Sequence, residues 1–564
     1  MALRLGEILI ERRVITPEQL KTAIVEQQKT GELLGQTLIR LRLASEDKVL
    51  NVLGEQQGIP FLNLKDTKID DKTVKAVPAK FIWHYKIMPV NIDGNILTVA
   101  TSNPFDMWPL DDLETHLSYK VERVLAASSD IMEAIKKYYG IGADTIEQIL
   151  ADTSSEAQEA EIAAGEKIED LEKMAESASV VKLVNQFLQQ AINDRATDIH
   201  IERFREDAVL RYRIDGVLYD IQVNENIKYL YPAIVSRIKI MSNLDIVERR
   251  LPQDGRAKVK IGVKEYELRV SVMPTLYGEN IVIRILPTTM LFSLSELGIS
   301  PKDLVMLEDL IMRPHGIIFV TGPTGSGKTT TLYACLSKLN TPQRKIVTIE
   351  DPIEYEIKGI TQTQINPKID LTFAKMLRSM LRHDPDIMMV GEVRDMETAQ
   401  ITIQTALTGH LVFSTIHTND AASGATRLID IGIEPYLITS SVNVFIAQRL
   451  VRTICPKCKE SYDLKDMSNE QEPKAYNPKL KTAYRGKGCK ACNNTGYFGR
   501  TGIYEIMPLT SEISKLILQK SSSDNIKAKA LEMGMHSLRQ DGWDKVLAGI
   551  TTVDEVIRVT QLGM

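Results

Sequence analysis

The chain has 564 residues, 43% of them hydrophobic and 25% charged, with a formal net charge of -5. Such a length holds about three to five domains with ample core, and the near-balanced charge excludes a basic nucleic-acid footprint over the whole protein. No apolar run in the sequence approaches the roughly 20 residues needed to span a bilayer, so a cytoplasmic location is expected.

In chain order, the first feature is a repeat: Leu5-Gly6, Leu9, Leu20, Ile24 and Gln27-Gln28 recur as Leu34-Gly35, Leu38, Val49, Leu53 and Gln56-Gln57. Self-similarity of this kind implies two copies of one unit within residues 1–58. Each copy reads as helix, turn and helix, the second helix starting at a hydroxyl cap, Thr16 or Ser45. Residues 59–145 mix helix and strand, with a hairpin expected at the "DG" turn of "VNIDGNILTVA". Residues 146–178 turn acidic and Ala-rich without aromatic residues, a composition unable to build a core, and are read as a linker.

The next region, 179–288, opens with "VVKLVNQFLQQAINDRATDIHIE", read as helical, and continues into alternating strands such as "AVLRYRIDGVLYDI" and "KEYELRVSVMPT". That is an α+β unit. Residues 289–564 alternate strand and helix around a Gly-rich loop, the pattern of a doubly wound nucleotide-binding core, and carry a cysteine insert at 455–492 and a helical tail. The whole chain is therefore read as multidomain α/β.

The Gly-rich loop is "GPTGSGKT", preceded by the strand-like "GIIFVT" and followed by the helix-like "TTTLYACLSKL". Gly322, Gly325 and Gly327 free the backbone to turn its N–H groups inward around phosphate oxygens, with Pro323, Thr324 and Ser326 between them. Lys328 would reach the β- and γ-phosphates, Thr329 would hold Mg²⁺, and Thr330 completes the first helical turn, whose positive end faces the anion. Two downstream strands deliver acids at their C-terminal ends, where open α/β sheets bind ligands. "RKIVTIEDPIEYE" brings Glu350, Asp351 and Glu354, and "DPDIMMVGEVRD" brings Glu392. One reading makes Glu392 the metal-shell or water-positioning group and Glu350 its catalytic partner.

"TGHLVFSTIHTNDA" adds His410 and His417, either core histidines or imidazoles reporting the nucleotide state. Arg256, Arg269 and Arg284 in the α+β unit either neutralise phosphate charge in the transition state or line a salt-bridged sheet face. Of the five cysteines, Cys455, Cys458, Cys489 and Cys492 form two C-x-x-C pairs spaced for a closed four-thiolate zinc site, and Cys335 reads as core.

Together, "GPTGSGKTT", "TIEDPIEY", "IMMVGEVRDMETA" and "TGHLVFSTIHTNDA" resemble the Walker A, Asp box, Walker B and His box of the type II and type IV secretion ATPase superfamily, over Val180 to Met564. The cysteine insert resembles that of assembly ATPases of type IV pili and type II secretion. The resemblance implies a RecA-like P-loop ATPase core preceded by a PAS-like α+β domain. It implies ATP and Mg²⁺ as ligands, with Asp351 and His410 near the nucleotide and His417 among the catalytic residues. Its arginines face the phosphates when the α+β domain closes through a hinge near Pro287 to Leu294. The family works as homo-hexamers that move an inner-membrane platform protein, held at the membrane face by a cytoplasmic docking protein; no direct nucleic-acid partner is expected. The N-terminal repeat resembles an MshEN-type cyclic di-GMP-binding region, with Arg4 on a guanine and Leu5, Gly6, Leu9, Leu34, Gly35 and Leu38 backing the base; copy two departs from it with Leu33 in place of the arginine.

Overall fold

A computed structural model describes residues 5–152, 174–287, 293–463 and 482–560. Arg4, most of the expected linker, residues 288–292 of the expected hinge and the middle of the cysteine insert lie outside the described residues. The described chain falls into two compact units, one reaching Ile261 and including Leu268–Ile285, the other comprising Gly262–Glu267 and the chain from Leu286 onward. None of the described helices is long and apolar enough to cross a membrane.

The first unit begins with the helices Leu5–Glu11, Pro17–Thr30, Leu34–Arg40 and Glu46–Gln57, two per repeat copy. Thr16 closes a capping box with Gln19, whereas Ser45 occupies the equivalent position without a side-chain cap bond. Strands β1 (Met88–Asp93) and β2 (Ile96–Thr101) form the expected antiparallel hairpin, and β3 (Lys120–Leu125) adds in parallel to β2. The residues assigned to the linker start inside a helix, Ala143–Asp152.

That helix packs on the helix Ala178–Asn193, where Thr145 Oγ1 lies 3.3 Å from Gln186 Oε1, and the Ile141 N–H donates to Gln222 O at 2.9 Å. Regions read as separate along the sequence thus share one body. The helical reading from Val180 stops at Asn193, because the buried positions repeat at helical spacing (Val180, Leu183, Val184, Phe187, Leu188, Ala191) only that far. "ATDIHIE" instead alternates buried Ile199 and Ile201 with polar neighbours and forms β4 (Ala196–Arg203). With β5 (Ala208–Ile214), β6 (Val217–Ile221), β7 (Gln253–Ile261), β8 (Lys264–Thr275) and β9 (Gly278–Pro287) it makes a sheet in the order β6-β5-β4-β9-β8-β7.

In the second unit, β10 (Gly316–Thr321), β11 (Ile346–Glu350), β12 (Thr361–Gln364), β13 (Ile387–Val390), β14 (Leu411–Ile416), β15 (Val442–Ile454) and β18 (Tyr497–Pro508) form one sheet, β12-β11-β13-β14-β10-β15-β18. The pairs up to β15 are parallel and β15 with β18 is antiparallel, a RecA-like arrangement. Every residue of β10, β11, β13 and β14 is buried, as expected of parallel strands covered on both faces. Ile317 and Phe319 enter one core and Ile318 and Val320 the other. Cys335 lies buried in the second core, where desolvation pushes its thiol up to about 12, so it stays protonated and inert. A small pair, β16 (Lys459–Asp463) and β17 (Thr482–Gly486), stands beside the β15/β18 hairpin.

Candidate nucleotide site

The buried strand β10 ends at Thr321, and the chain must turn at once without spending side-chain volume. A Cβ on Gly322 would lie 2.6 Å from both Gln448 O and Ser326 Oγ, so this position admits only glycine. Gly327 caps the helix Lys328–Leu339 at φ 87°, a left-handed conformation, and a Cβ there would meet Gln448 Nε2 at 2.8 Å. Gly327→Ala is expected to cost about 1–3 kcal/mol of local strain, read as weakened nucleotide binding with the rest of the chain still folded. Unchanged affinity in a titration would contradict that role for the turn.

Inside the loop, Ser326 is buried with no hydrogen-bond partner for its hydroxyl, an orphan that an anion's oxygen would satisfy. Lys328 Nζ donates to Gly322 O at 2.9 Å and Pro323 O at 3.0 Å, closing the loop on itself. Burial holds the Lys328 ammonium below its usual value, with Arg449 adding to this and Glu392 opposing it. Pro323, Thr324 and Gly325 form the exposed lip, and Thr329 and Thr330 sit half-buried on the first helical turn. The loop, its orphan hydroxyl and the helix end together fit a polyphosphate.

Glu392 follows β13 and is largely buried; Arg394 Nε lies 2.6 Å from its carboxylate and His417 Nε2 3.4 Å. Glu350 ends the neighbouring β11, and the two strand ends meet where the Gly391 N–H donates to Ile349 O at 2.7 Å. The Glu350 carboxylate, however, accepts from Thr348 Oγ1 at 2.6 Å, Gln362 Nε2 at 3.1 Å and the Tyr333 hydroxyl. Burial pushes its pKa up against these donors. With its lone pairs committed in this way, Glu350 has the surroundings of a positioning group that fixes Tyr333 and Gln362. Asp351 is exposed just beyond it.

The two histidines lie at opposite ends of β14. His417 follows its C-terminal end beside Glu392, whereas His410 precedes Leu411, which pairs with Gly316 at the start of β10. There His410 Nδ1 sits 3.0 Å from Thr405 O and 3.2 Å from Thr408 Oγ1. The structure therefore does not bring His410 to the phosphate loop of its own chain; a short strand between two identical residue types gave no sign of which end faced the ligand.

Gln448 and Arg449, on β15, back the loop and were not singled out in the sequence. Thr331 Oγ1 donates to Gln448 Oε1 at 2.7 Å, and a Cβ on Gly322 would stand 3.1 Å from Arg449 Nη1. The available signal was a polar pair interrupting the otherwise apolar "VFIAQRLV".

In the first unit, Arg256, Arg269 and Arg284 lie on β7, β8 and β9, neighbours in the sheet, on the face opposite buried Ala257, Leu268 and Ile283. Arg284 Nε donates to Asp198 Oδ1 at 3.1 Å, which gives this arginine a salt-bridged sheet-face partner. In the repeat, Leu9 and Leu38 are fully buried in the helical core, and a Cβ on Gly6 or Gly35 would press on Leu20 or Val49. These residues serve helix packing, which leaves them no surface for a flat base; Leu5 and Leu34 remain partly exposed.

The four thiols converge at the far end of the β15/β18 hairpin. Cys455 and Cys489 Sγ are 3.8 Å apart, Cys458 and Cys492 3.8 Å, and Cys489 and Cys492 3.7 Å, with all four sulfurs within 4.8 Å of one another. A tetrahedral ion with metal–sulfur bonds of about 2.3 Å requires sulfurs about 3.8 Å apart, the spacing of these three pairs, so the donor set suits zinc. Gly496 N–H points at Cys492 Sγ at 3.3 Å, a contact suited to a thiolate.

The Type II/IV secretion system protein family matches residues 173–558, and the MshEN domain family matches residues 57–145. The MshEN match thus starts where the helical repeat ends. Among similar proteins, the type IV pilus assembly ATPase PilB of Myxococcus xanthus is 44% identical over 561 residues, covering 99% of each chain. Type II secretion system protein E of Xanthomonas campestris pv. campestris is 40% identical over 573 residues, covering 99% of this chain and 98% of its own. Type II secretion system ATPase E of Vibrio cholerae is 41% identical over 497 residues, covering 87% and 97%.

Proposed function

This chain belongs to the Type II/IV secretion system protein family, and from that premise we propose that it is a motor ATPase that hydrolyses ATP to drive assembly of type IV pili. The observation that carries the reading is the closed phosphate loop with Lys328 folded onto its carbonyls and Glu392 opposite, in a chain whose similarity to a pilus assembly ATPase runs end to end. ATP enters the loop, Lys328 leaves the Gly322 and Pro323 carbonyls for the phosphates, and the orphan Ser326 hydroxyl gains an acceptor. Thr329 would hold Mg²⁺, which when bound neutralises phosphate charge. Glu392, steadied by Arg394 and His417, orients the attacking water, and Glu350 fixes the neighbouring wall through Tyr333 and Gln362.

The sheet-face arginines then act on developing phosphate charge as the α+β domain closes, an arrangement suited to a homo-hexameric ring in which each closure displaces its neighbour. Arg269→Ala is expected to keep nucleotide binding while turnover falls by about a hundredfold, the scale of a lost transition-state donor; equal loss of binding and turnover would place it elsewhere. The ring works on an inner-membrane platform protein and is tethered by a cytoplasmic docking protein at the membrane's cytoplasmic face. Cyclic di-GMP binding by the N-terminal region belongs to the same reading, supported by the repeat and the adjacent MshEN match; it would use Arg4 with Leu5 and Leu34 rather than the core leucines.

Deleting the gene in its source organism is expected to remove surface pili, restored by the wild-type chain and not by Lys328→Ala. Retained pili with loss of secreted enzymes would assign the motor to type II secretion instead, the activity named for relatives at 40% and 41% identity.

A further inference from the structure

The loop after β14 passes behind the phosphate site, and each of its residues meets a different group. His417 lies beside Glu392. Next, the Thr418 N–H donates to Thr321 Oγ1 at 2.8 Å, at the root of the phosphate loop. The Asn419 carbonyl accepts from Arg449 Nη2 at 3.0 Å, Asp420 Oδ2 accepts from Lys527 Nζ at 2.9 Å, and the Ala421 N–H donates to Glu505 Oε1 at 2.9 Å. Lys527, on the helix Ser523–Glu532, also lies 3.4 Å from the fully buried Glu505 carboxylate. Despite its burial, those two carboxylates raise the Lys527 ammonium above its ordinary value, so it stays charged. One ammonium thus fixes the far end of the loop that steers Arg449.

Arg449 has no carboxylate at ion-pair distance among the described residues. Its guanidinium, half-buried, donates to two neutral carbonyls, Gln448 O at 3.2 Å and Asn419 O at 3.0 Å. A half-buried cation bonded only to neutral acceptors, with the Asp420 and Glu505 carboxylates acting on it from beyond ion-pair distance, is under-compensated, and beside the phosphate loop an anion would complete its surroundings. We propose that Arg449 is a second phosphate-facing cation of the nucleotide site, parked on the Asn419 and Gln448 carbonyls, and that Lys527 is a positioning residue that sets it through the 417–421 loop. The inference rests on the ATP reading above. It makes the helix Ser523–Glu532 sensitive to how much phosphate charge occupies the loop, since a phosphate that draws Arg449 toward it loosens the bond to Asn419.

The test titrates the full chain with MgADP and with a non-hydrolysable MgATP analogue. For Arg449→Gln, affinity for the analogue is expected to fall roughly tenfold or more, the worth of a charge-assisted hydrogen bond, and affinity for ADP by less. Lys527→Met is expected to erode the same triphosphate-over-diphosphate preference although it touches no nucleotide, and Lys527→Arg to retain it. Because Lys527→Met strands two carboxylates, Arg449→Gln, which strands none, decides the matter if the methionine variant does not fold. Wild-type preference in Arg449→Gln would overturn the inference alone. A wild-type chain that bound neither nucleotide would overturn it together with the ATP reading.

Discussion

Lys328→Ala should abolish measurable MgATP binding, with affinity reduced by at least roughly a hundredfold, while the chain stays folded. The asymmetry follows from what Lys328 touches. In the structure its ammonium contributes two bonds to neutral loop carbonyls, part-buried Gly322 O and exposed Pro323 O, and no ion pair among the described residues, so its removal costs the fold little. With nucleotide bound the same group would face phosphate in a half-buried site, where charge-assisted bonds are worth most. Thermal unfolding and calorimetric titration of the variant check the two halves separately. Near-native affinity would remove Lys328 from the phosphate contact, and a collapsed melting transition would make it structural.

The second large effect is expected at the sulfur cluster. Freshly reduced protein should carry about one zinc per chain, and Cys455→Ser should lose it. The ion would sit where β15 leaves the sheet: Ile454 pairs with Tyr497 immediately before the first thiol, and Ile454 N–H donates to Ile550 O of the tail. The tail itself packs through Trp543, Val546, Val553 and Val556 against Ala483 of the insert. Loss of the metal therefore unpins both the hairpin and the tail, and β15 is the strand that carries Gln448 and Arg449 to the phosphate loop. A melting temperature lower by on the order of 10 °C is expected, since a domain of this size moves about 2–4 °C per kcal/mol and a lost structural metal removes several. Metal analysis finding no zinc, or a serine variant as stable as wild type, would contradict the assignment.

What could be read along the chain was whatever is written in adjacent residues. The phosphate loop is legible because backbone crowding at Gly322 and the left-handed turn at Gly327 act on neighbouring positions. The C-x-x-C pairs are legible because a tetrahedral ion needs two ligands from one turn. Contacts made across strands were not legible. Arg449 reaches Gly322 only because β10 and β15 pair with Thr321 opposite Ala447, and nothing near Gly322 in the chain announces that register. Glu350 was read by its place at a strand end, yet its character comes from Tyr333 on a helix and Gln362 on β12. Leu9 and Leu38 recur because the repeat must bury them, a demand of packing that imitates the periodicity of a binding motif.

Glu392, which acts electrostatically on Lys328, is placed to direct hydrolysis of bound ATP. Phosphate release by the full chain, followed with Mg²⁺ and ATP at saturating concentration for wild type and Glu392→Gln side by side, tests it most directly. The account predicts Mg²⁺-dependent turnover by wild type and at least about a hundredfold slower release by a variant that still binds MgATP, as expected when a water-orienting carboxylate is lost. Turnover by Glu392→Gln at the wild-type rate would contradict it.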